Sequence, residues 1–440
     1  MKFKCIFYLL VMIPSLLISQ NTIKAAFTPE KDFTWGILYK NSPTGKKYVA
    51  QSKFVEGNLV FKLNEKATKG IYKLVYAVPQ NEYSFDLIYN GKEDIELKFN
   101  LNDGAIFLKS SENILLSSYL SELTSLGKSL EAEFSKNQIN RKTITTIFDT
   151  QRELQITYEE KSKGMLVNHF IKANRPYIPN KYEPKSSYIK NQTTNYFKNI
   201  DFNNKILQSS NLLLDKSLAY IYSVVNEDFT KQKNYSFNID QVVEKTSFAN
   251  PIFRKSFLEK MWQKFVSNDD TIVANYLAER HLIPLAKKQN DTRLVLKLTQ
   301  FKNLSIGNSA PDFMLDESSR KKLSTLDVAE NYILVFWSSG CSHCLKELPQ
   351  LHSLSQNLNS TKFKVVAVGL EENNTKWSSE VKKFPNFINT IKLQKWNNKV
   401  VKDYALTSTP TYFVLDQDKK FKFKPEGLKD LEAYLSRNKF

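Results

Sequence analysis

The segment Tyr332-Ile333-Leu334-Val335-Phe336 is an unbroken apolar run that leads, through Trp337-Ser338-Ser339-Gly340, into Cys341-Ser342-His343-Cys344. A strand with one face in water alternates apolar and polar residues. An unbroken run predicts a strand buried on both faces, which needs cover on either side of its sheet. Residues Cys341 to Leu358 then read as a helix, so the cysteines fall where a strand hands over to a helix. At such a junction the first helical N–H groups are free and the helix dipole is positive.

The rest of the C-terminal part keeps this layered pattern. Lys364 to Val368 is a second apolar strand, and a helical piece surrounds Trp377. Thr411–Leu415 and Phe421–Phe423 read as a hairpin turning at Asp416-Gln417-Asp418, and Gly427 to Ser436 as a closing helix. Strand–helix–strand followed by hairpin–helix is the order of a thioredoxin-like α/β domain.

The cysteine spacing then acquires a chemical meaning. Cys341, at the exposed helix start, is the expected nucleophile, because N–H groups and the dipole stabilise its thiolate. Cys344 lies one turn in, where it can attack a mixed disulfide and release product. His343 adds a group that becomes cationic, so it is expected to lower the Cys341 pKa and make the pair more oxidising. A CxxC pair also serves as half of a zinc site or as a static staple. Zinc needs two further Cys or His ligands. Of the chain's 3 cysteines the remaining one is Cys5, and His352 is the only other histidine nearby. A peroxidatic cysteine usually sits in a Pro- and Thr-containing loop rather than a CxxC.

The N-terminus reads as an export signal: Lys2 and Lys4 precede an apolar stretch, Cys5 to Ile18, shorter than the roughly 20 residues of a comfortable span. Cleavage is expected after Ser19, Gln20 or the pair Ala25-Ala26; an uncleaved anchor is the alternative. Cys5 is too early for a lipoprotein cysteine. The following residues alternate with period two: Leu59, Phe61 and Leu63, then Phe85, Leu87 and Tyr89, then Ile95, Leu97 and Phe99. Asn90-Gly91 between two of these runs signals a tight turn. Near Ser111 the period becomes helical and stays so to about Phe301, with Pro176 to Lys198 reading as a long polar loop. His169 and His281 sit among apolar helical neighbours and read as structural.

Composition limits the remaining choices. At roughly 150 residues per domain, 440 residues suggest about three domains. Hydrophobic residues at 41% suffice for packed cores, which argues against global disorder. The net charge of +18 is spread along the chain with no long basic block, so nucleic-acid binding is not expected. A solvated lysine-rich surface, or attraction to an anionic membrane, accounts for it.

Several motifs occur together in one order: Gly307-Asn308-Ser309-Ala310-Pro311-Asp312-Phe313, Leu334-Val335-Phe336-Trp337, Cys341-Ser342-His343-Cys344, Glu347, Pro349 and Thr409-Pro410-Thr411. In this they resemble the TlpA/ResA-like branch of the thioredoxin superfamily. The resemblance covers roughly the last third of the chain. It implies an exported, often membrane-tethered disulfide reductase, a cis Pro410 facing the redox pair, and a partly buried acid, Glu347, that helps move protons there. Trp337 and His343 join these as supporting residues. Gly340 departs from the pattern, standing where the family usually has a bulky residue, which leaves a more open approach to Cys341. Gly70-Ile71-Tyr72-Lys73-Leu74, Tyr83 to Asn90 and Ser110-Ser111-Glu112-Asn113 resemble a β-rich module of unknown function found ahead of thioredoxin domains in exported Bacteroidetes-type proteins.

The expected organisation is therefore multidomain: a signal peptide (1–26), an N-terminal antiparallel β domain (27–110), a central α-helical region (111–301) and a C-terminal α/β thioredoxin-like fold (302–440). The expected activity is thiol–disulfide exchange in the periplasm or cell envelope. It needs no cofactor beyond the Cys341–Cys344 couple and no metal. Expected partners are protein disulfides and an upstream electron donor or acceptor, with membrane association through an uncleaved N-terminus. The competing reading is an envelope binding protein with an accessory redox domain.

Overall fold

A computed structural model describes residues 21–29, 33–80 and 82–438. The chain divides into two compact units between Ser267 and Asn268.

The first unit opens with β1 (Thr22–Thr28), β2 (Trp35–Ser42), β3 (Gly45–Lys53), β4 (Asn58–Lys62), β5 (Gly70–Val75), β6 (Ser84–Tyr89), β7 (Ile95–Asn100) and β8 (Gly104–Lys109). They make two four-stranded sheets, ordered β4-β1-β7-β8 and β3-β2-β5-β6. The period-two residues face one shared core: Leu59 and Phe61 meet Leu97, Phe99, Leu74 and Leu87 there. Pairings are antiparallel except β1 with β7, which run parallel. The Asn90-Gly91 turn is present, with Gly91 at φ 84° and Asn90 Oδ1 accepting the Lys92 N–H at 2.9 Å. It closes no hairpin, because β6 and β7 lie in different sheets; it carries the chain from one sheet to the other.

The boundary expected at residue 26 requires correction. β1 is an interior strand, paired with β4 on one side and β7 on the other. Its Ile23 and Ala25 are fully buried. The β domain therefore includes Thr22–Ala26, and the Ala25-Ala26 cleavage site falls inside it. The residues up to Gln20, with the signal, Ser19 and Cys5, lie outside the described residues.

Helices α1 (Ser111–Phe134), α2 (Arg141–Lys161), α3 (Val167–Ala173), α4 (Lys185–Thr194), α5 (Lys205–Gln208), α6 (Leu212–Ser223), α7 (Lys231–Lys245) and α8 (Pro251–Ser267) complete this unit. They are not separate from the sandwich. Near the start of α1, buried Asn113 accepts the Ile88 N–H at 2.9 Å and donates to the Ile88 carbonyl at 2.7 Å. One side chain thereby continues the ladder at the open edge of β6 and covers it. The long loop expected over Pro176 to Lys198 contains α4. Buried Tyr188 anchors that helix between Phe134 and Phe148, each 5.6 Å away between ring centroids. Aromatic burial outweighs the Pro-, Lys- and Asn-rich composition there.

The second unit begins with α9 (Thr271–Leu277), a π-helical turn (Ala278–Leu282), α10 (Ile283–Lys288) and α11 (Thr292–Asn303). These were expected to belong with the central helices, but they group with the α/β domain. Specific bonds hold them there: Asn275 Nδ2 donates to Ser305 Oγ at 3.0 Å, and Gln300 Nε2 to the Lys402 carbonyl at 2.7 Å.

The α/β part comprises β9 (Met314–Asp316), β10 (Lys321–Lys322), β11 (Asn331–Trp337), α12 (Ser342–Gln356), β12 (Phe363–Leu370), α13 (Thr375–Glu380), β13 (Ile388–Lys392), α14 (Lys399–Asp403), β14 (Thr411–Asp416), β15 (Phe421–Phe423) and α15 (Leu428–Arg437). The main sheet runs β13-β12-β11-β14-β15. β11, β12 and β13 are parallel, whereas β14 is antiparallel to β11. Every residue of β11 is buried. Tyr332, Leu334 and Phe336 face a core with Tyr404 and Phe413. Ile333, Val335 and Trp337 face the opposite one, with Leu348 and Leu351 of α12 and Leu431 of α15. Each such side chain contributes about 1.5–3 kcal/mol on burial. This double cover is the reason for the unbroken apolar run, and it fixes rigidly the point from which the cysteine loop departs.

Candidate active site

β11 ends at Trp337, and Ser338-Ser339-Gly340 turns the chain into α12. Cys341 occupies the N-cap position, with extended backbone (φ −95°, ψ 111°), and its Sγ accepts the Cys344 N–H at 3.2 Å. A sulfur thus stands where a serine or aspartate oxygen usually caps a helix. Cys341 is half-buried, whereas Cys344, a turn further in, is fully buried beside Trp337 and Leu348. Both are free thiols.

The surroundings push the two sulfurs in opposite directions. Burial alone would raise the Cys341 pKa. The Cys344 thiol and N–H, the Thr409 side chain and the His343 backbone N–H outweigh it and hold Cys341 below the ordinary thiol value. Burial, and then the hydrogen bond with Cys341, push Cys344 up to about 12. The outer sulfur is therefore the readier thiolate and the inner one holds its proton.

The loop before β14 supplies the facing wall. The Thr409–Pro410 peptide is cis, and the Cys341 thiol donates to the Thr409 carbonyl at 3.4 Å. Glu347 lies on α12 one turn beyond Cys344, and its side chain is only 16% exposed. Its Oε2 accepts the Tyr412 hydroxyl at 2.7 Å, and its Oε1 lies 2.9 Å from His343 Nε2. Tyr412 is 1% exposed. Burial, followed by the Glu347 carboxyl and then the two cysteines, drives its hydroxyl pKa far upward.

The structure brings Cys341, Cys344, Glu347 and the Thr409–Pro410 peptide together. Trp337 is fully buried in the same core as Cys344. His343 lies at the helix start beside the pair. Its imidazole is 68% exposed and turned to Glu347, and its backbone N–H is among the groups that hold the Cys341 pKa down. The i,i+4 spacing of His343 and Glu347 explains this choice, since such residues stack on one helix face. His352 packs against Phe384 and Phe387, at 5.7 and 5.5 Å between ring centroids. Among the described residues no group of three or more His, Cys, Asp or Glu side chains is placed to hold a metal. His169 Nδ1 lies 2.8 Å from Asn204 Nδ2, a structural bond within the first unit.

Two residues escaped sequence reasoning. Tyr412 read only as part of an apolar strand, although a tyrosine buried in such a strand needs a partner for its hydroxyl. Glu371 follows the apolar strand β12 directly, and its buried carboxyl reaches the Ser338-Ser339 turn.

The C-terminal part of the chain is similar to known proteins. Residues 330–421 match the Thioredoxin_8 family, described as thioredoxin-like. The thiol-disulfide oxidoreductase ResA of Bacillus thuringiensis is 28% identical over 147 residues, covering 32% of this chain and 82% of that protein. The thioredoxin-like protein YneN of Bacillus subtilis is 30% identical over 113 residues, covering 25% of this chain and 65% of YneN. Among solved structures, a domain of a possible thiol-disulfide isomerase from Cytophaga hutchinsonii is 25% identical, with TM-score 0.28, covering 31% of this chain and 94% of that domain. The last third of this chain is a thioredoxin-like domain with homologues among ResA-type thiol–disulfide oxidoreductases.

Proposed function

We propose that this protein is an exported protein-disulfide reductase that works by dithiol–disulfide exchange at Cys341 and Cys344. The observation that carries this reading is the opposed setting of the two sulfurs. Cys341 is accessible, caps a helix and has a depressed pKa, while Cys344 is buried and protonated. The Cys341 thiolate attacks one sulfur of a substrate disulfide, forms a mixed disulfide and releases the first substrate thiolate, which takes a proton from solvent. Cys344 then loses its proton and attacks the Cys341 sulfur. That step releases the second substrate thiol and leaves a Cys341–Cys344 disulfide. Two electrons pass from the pair to the substrate, and a dithiol donor upstream restores the reduced state.

Glu347 is suited to receive the Cys344 proton by way of Tyr412, whose hydroxyl passes its own proton to the carboxylate as it takes one from the thiol, since Tyr412 lies at the buried end of the pair. The chemistry needs no bound cofactor. The export reading rests on the N-terminal sequence pattern, and no helix of the described residues is long and apolar enough to cross a membrane. The test is turnover of insulin disulfides by the full chain with a dithiol reductant. Loss of turnover in both Cys341→Ser and Cys344→Ser supports the reading, and turnover surviving either change refutes it.

A further inference from the structure

Glu371 is a buried acid, 7% exposed, that the exchange steps above do not use. Its Oε1 accepts the Ser339 N–H at 2.5 Å, and its Oε2 accepts the Ser338 hydroxyl at 3.4 Å. Both serines are buried, at 4% and 2% exposure. Ser338 carries the contact onward: its Oγ accepts the Gly340 N–H at 3.3 Å, and its carbonyl accepts the Cys341 N–H at 3.0 Å. A continuous set of bonds thus joins Glu371 to the residue that bears the attacking sulfur.

The Glu371 backbone is itself pinned. Its N–H donates to the Lys392 carbonyl at 3.0 Å, and its carbonyl accepts the Lys395 N–H at 3.2 Å. The anchor is therefore the end of β12 tied to the end of β13, both part of the rigid sheet. The other bonds just named run within the turn itself, so the Glu371 carboxyl is what ties it to the end of β12. Gly340 is exposed, and a Cβ placed there would find only Ser338 Oγ within 4 Å, at 3.8 Å. Glycine also leaves the backbone its widest choice of conformation. Without the carboxyl beneath it, the Ser338–Gly340 turn could relax and take Cys341 out of the N-cap position.

The geometry points to Glu371 as a positioning residue for Cys341, holding the Ser338–Cys341 turn so that the sulfur stays on the free N–H groups of α12. This rests on Cys341 being the attacking thiol. It sets the acceptor oxygen of Glu371, rather than its charge, as the feature that matters. A carboxylate acting by charge would oppose the Cys341 thiolate, and removing that charge would make the thiol more acidic.

The experiment is the pH dependence of iodoacetamide alkylation of Cys341 in the reduced full chain, in the Cys344→Ser background. Glu371→Gln keeps an acceptor oxygen in place and is expected to leave the profile within twofold of its parent. Glu371→Ala removes the acceptor and is expected to move the profile to higher pH, slowing alkylation at pH 7 by about fivefold to tenfold. Glu371→Asp, which withdraws the acceptor by one methylene but keeps the charge, is expected to follow Ala; it also serves if the Ala variant does not fold. An unchanged profile in both Ala and Asp overturns the proposal, as does a Gln variant that matches Ala or becomes more acidic. Alkylation needs no disulfide substrate, so failure of the reductase reading would appear in the insulin assay and leave this result standing.

Discussion

Tyr412 donates its hydroxyl to Glu347 at 2.7 Å, joining β14 to the active-site helix beside the buried cysteine. Neither partner has free access to water, and the same carboxyl also meets the exposed His343 imidazole. The pair therefore runs from the buried end of the redox site toward its surface. On the function proposed above, the Cys344 proton leaves along this pair without crossing the apolar core.

That arrangement predicts where loss of the pair is felt. Glu347→Gln and Tyr412→Phe are expected to leave the first attack by Cys341 within about twofold and to slow resolution of the mixed disulfide by about a hundredfold, the lower end of the usual contribution of a positioned proton acceptor. Tyr412→Phe is also expected to cost about 1.5–3 kcal/mol of stability, the range for hydrogen bonds to charged groups. Rapid-quench analysis with a chromogenic disulfide separates the two steps. Equal slowing of both steps, or of neither, contradicts the role.

The sequence made β11 and its cysteine loop plain because burial on both faces writes itself as an unbroken apolar run, and because a CxxC at a strand–helix junction permits few uses. Tyr412 and Glu371 were hidden because their partners are distant in the chain: Glu347 and the Ser338-Ser339 turn become neighbours only once β14 and β12 have paired with β11. The His343–Glu347 contact was legible in principle from i,i+4 spacing, although the helix start beside Cys341 offers the imidazole a competing place. The start of the sandwich was obscured because Ile23, Ala25 and Phe27 follow directly on an apolar leader and small residues resemble a cleavage site. The break at Ser267/Asn268 was invisible because helical periodicity continues on both sides of it.

The opposed pKa shifts predict a pH signature. Cys341 sits below the ordinary thiol value, so its thiolate fraction and alkylation rate rise with pH before those of a free thiol, and fall away on acidification through its own pKa. Cys344, pushed up to about 12, stays protonated across the neutral range and should resist alkylation until strongly alkaline pH. Mass spectrometry after timed alkylation of the reduced chain is expected to show a single adduct on Cys341 at pH 7. In line with this, Cys344→Ser should accumulate substrate mixed disulfides and Cys341→Ser should not. Preferential labelling of Cys344 would reverse the assigned roles.

Two substitutions at His343 separate its side chain from its backbone. His343→Ala removes the imidazole but keeps the N–H that helps hold Cys341 down. His343→Pro removes both, at a first-turn position where proline fits a helix. The Ala variant is therefore expected to keep the Cys341 pKa and the reduction potential near those of the parent. The Pro variant is expected to raise the pKa and lower the potential, since the reduced form loses stabilisation; about 30 mV corresponds to a tenfold change for this two-electron couple. Redox titration against glutathione reads both. A potential that falls equally in Ala and Pro would return the role to the imidazole.

The position of β1 predicts where the mature chain can begin. Five of its residues, Thr22 to Ala26, pair with Lys62 through Asn58 of β4, and Ile23 to Thr28 pair with Ile95 to Asn100 of β7. Removing the chain through Ala26 would strip most of an interior strand, leave β4 and β7 with unpaired edges, and take the fully buried Ile23 and Ala25 from the core. Loss of the Ile23 side chain alone is worth roughly 2–5 kcal/mol, against a total domain stability of roughly 5–15 kcal/mol. If the proposed export signal is removed, processing should therefore leave Thr22 in place. N-terminal sequencing of the chain secreted from a heterologous host is expected to start at or before Asn21, whereas a version begun at Phe27 is expected to lose the cooperative unfolding of the first unit. A secreted, folded chain beginning at Phe27 would show that β1 is dispensable to the sandwich.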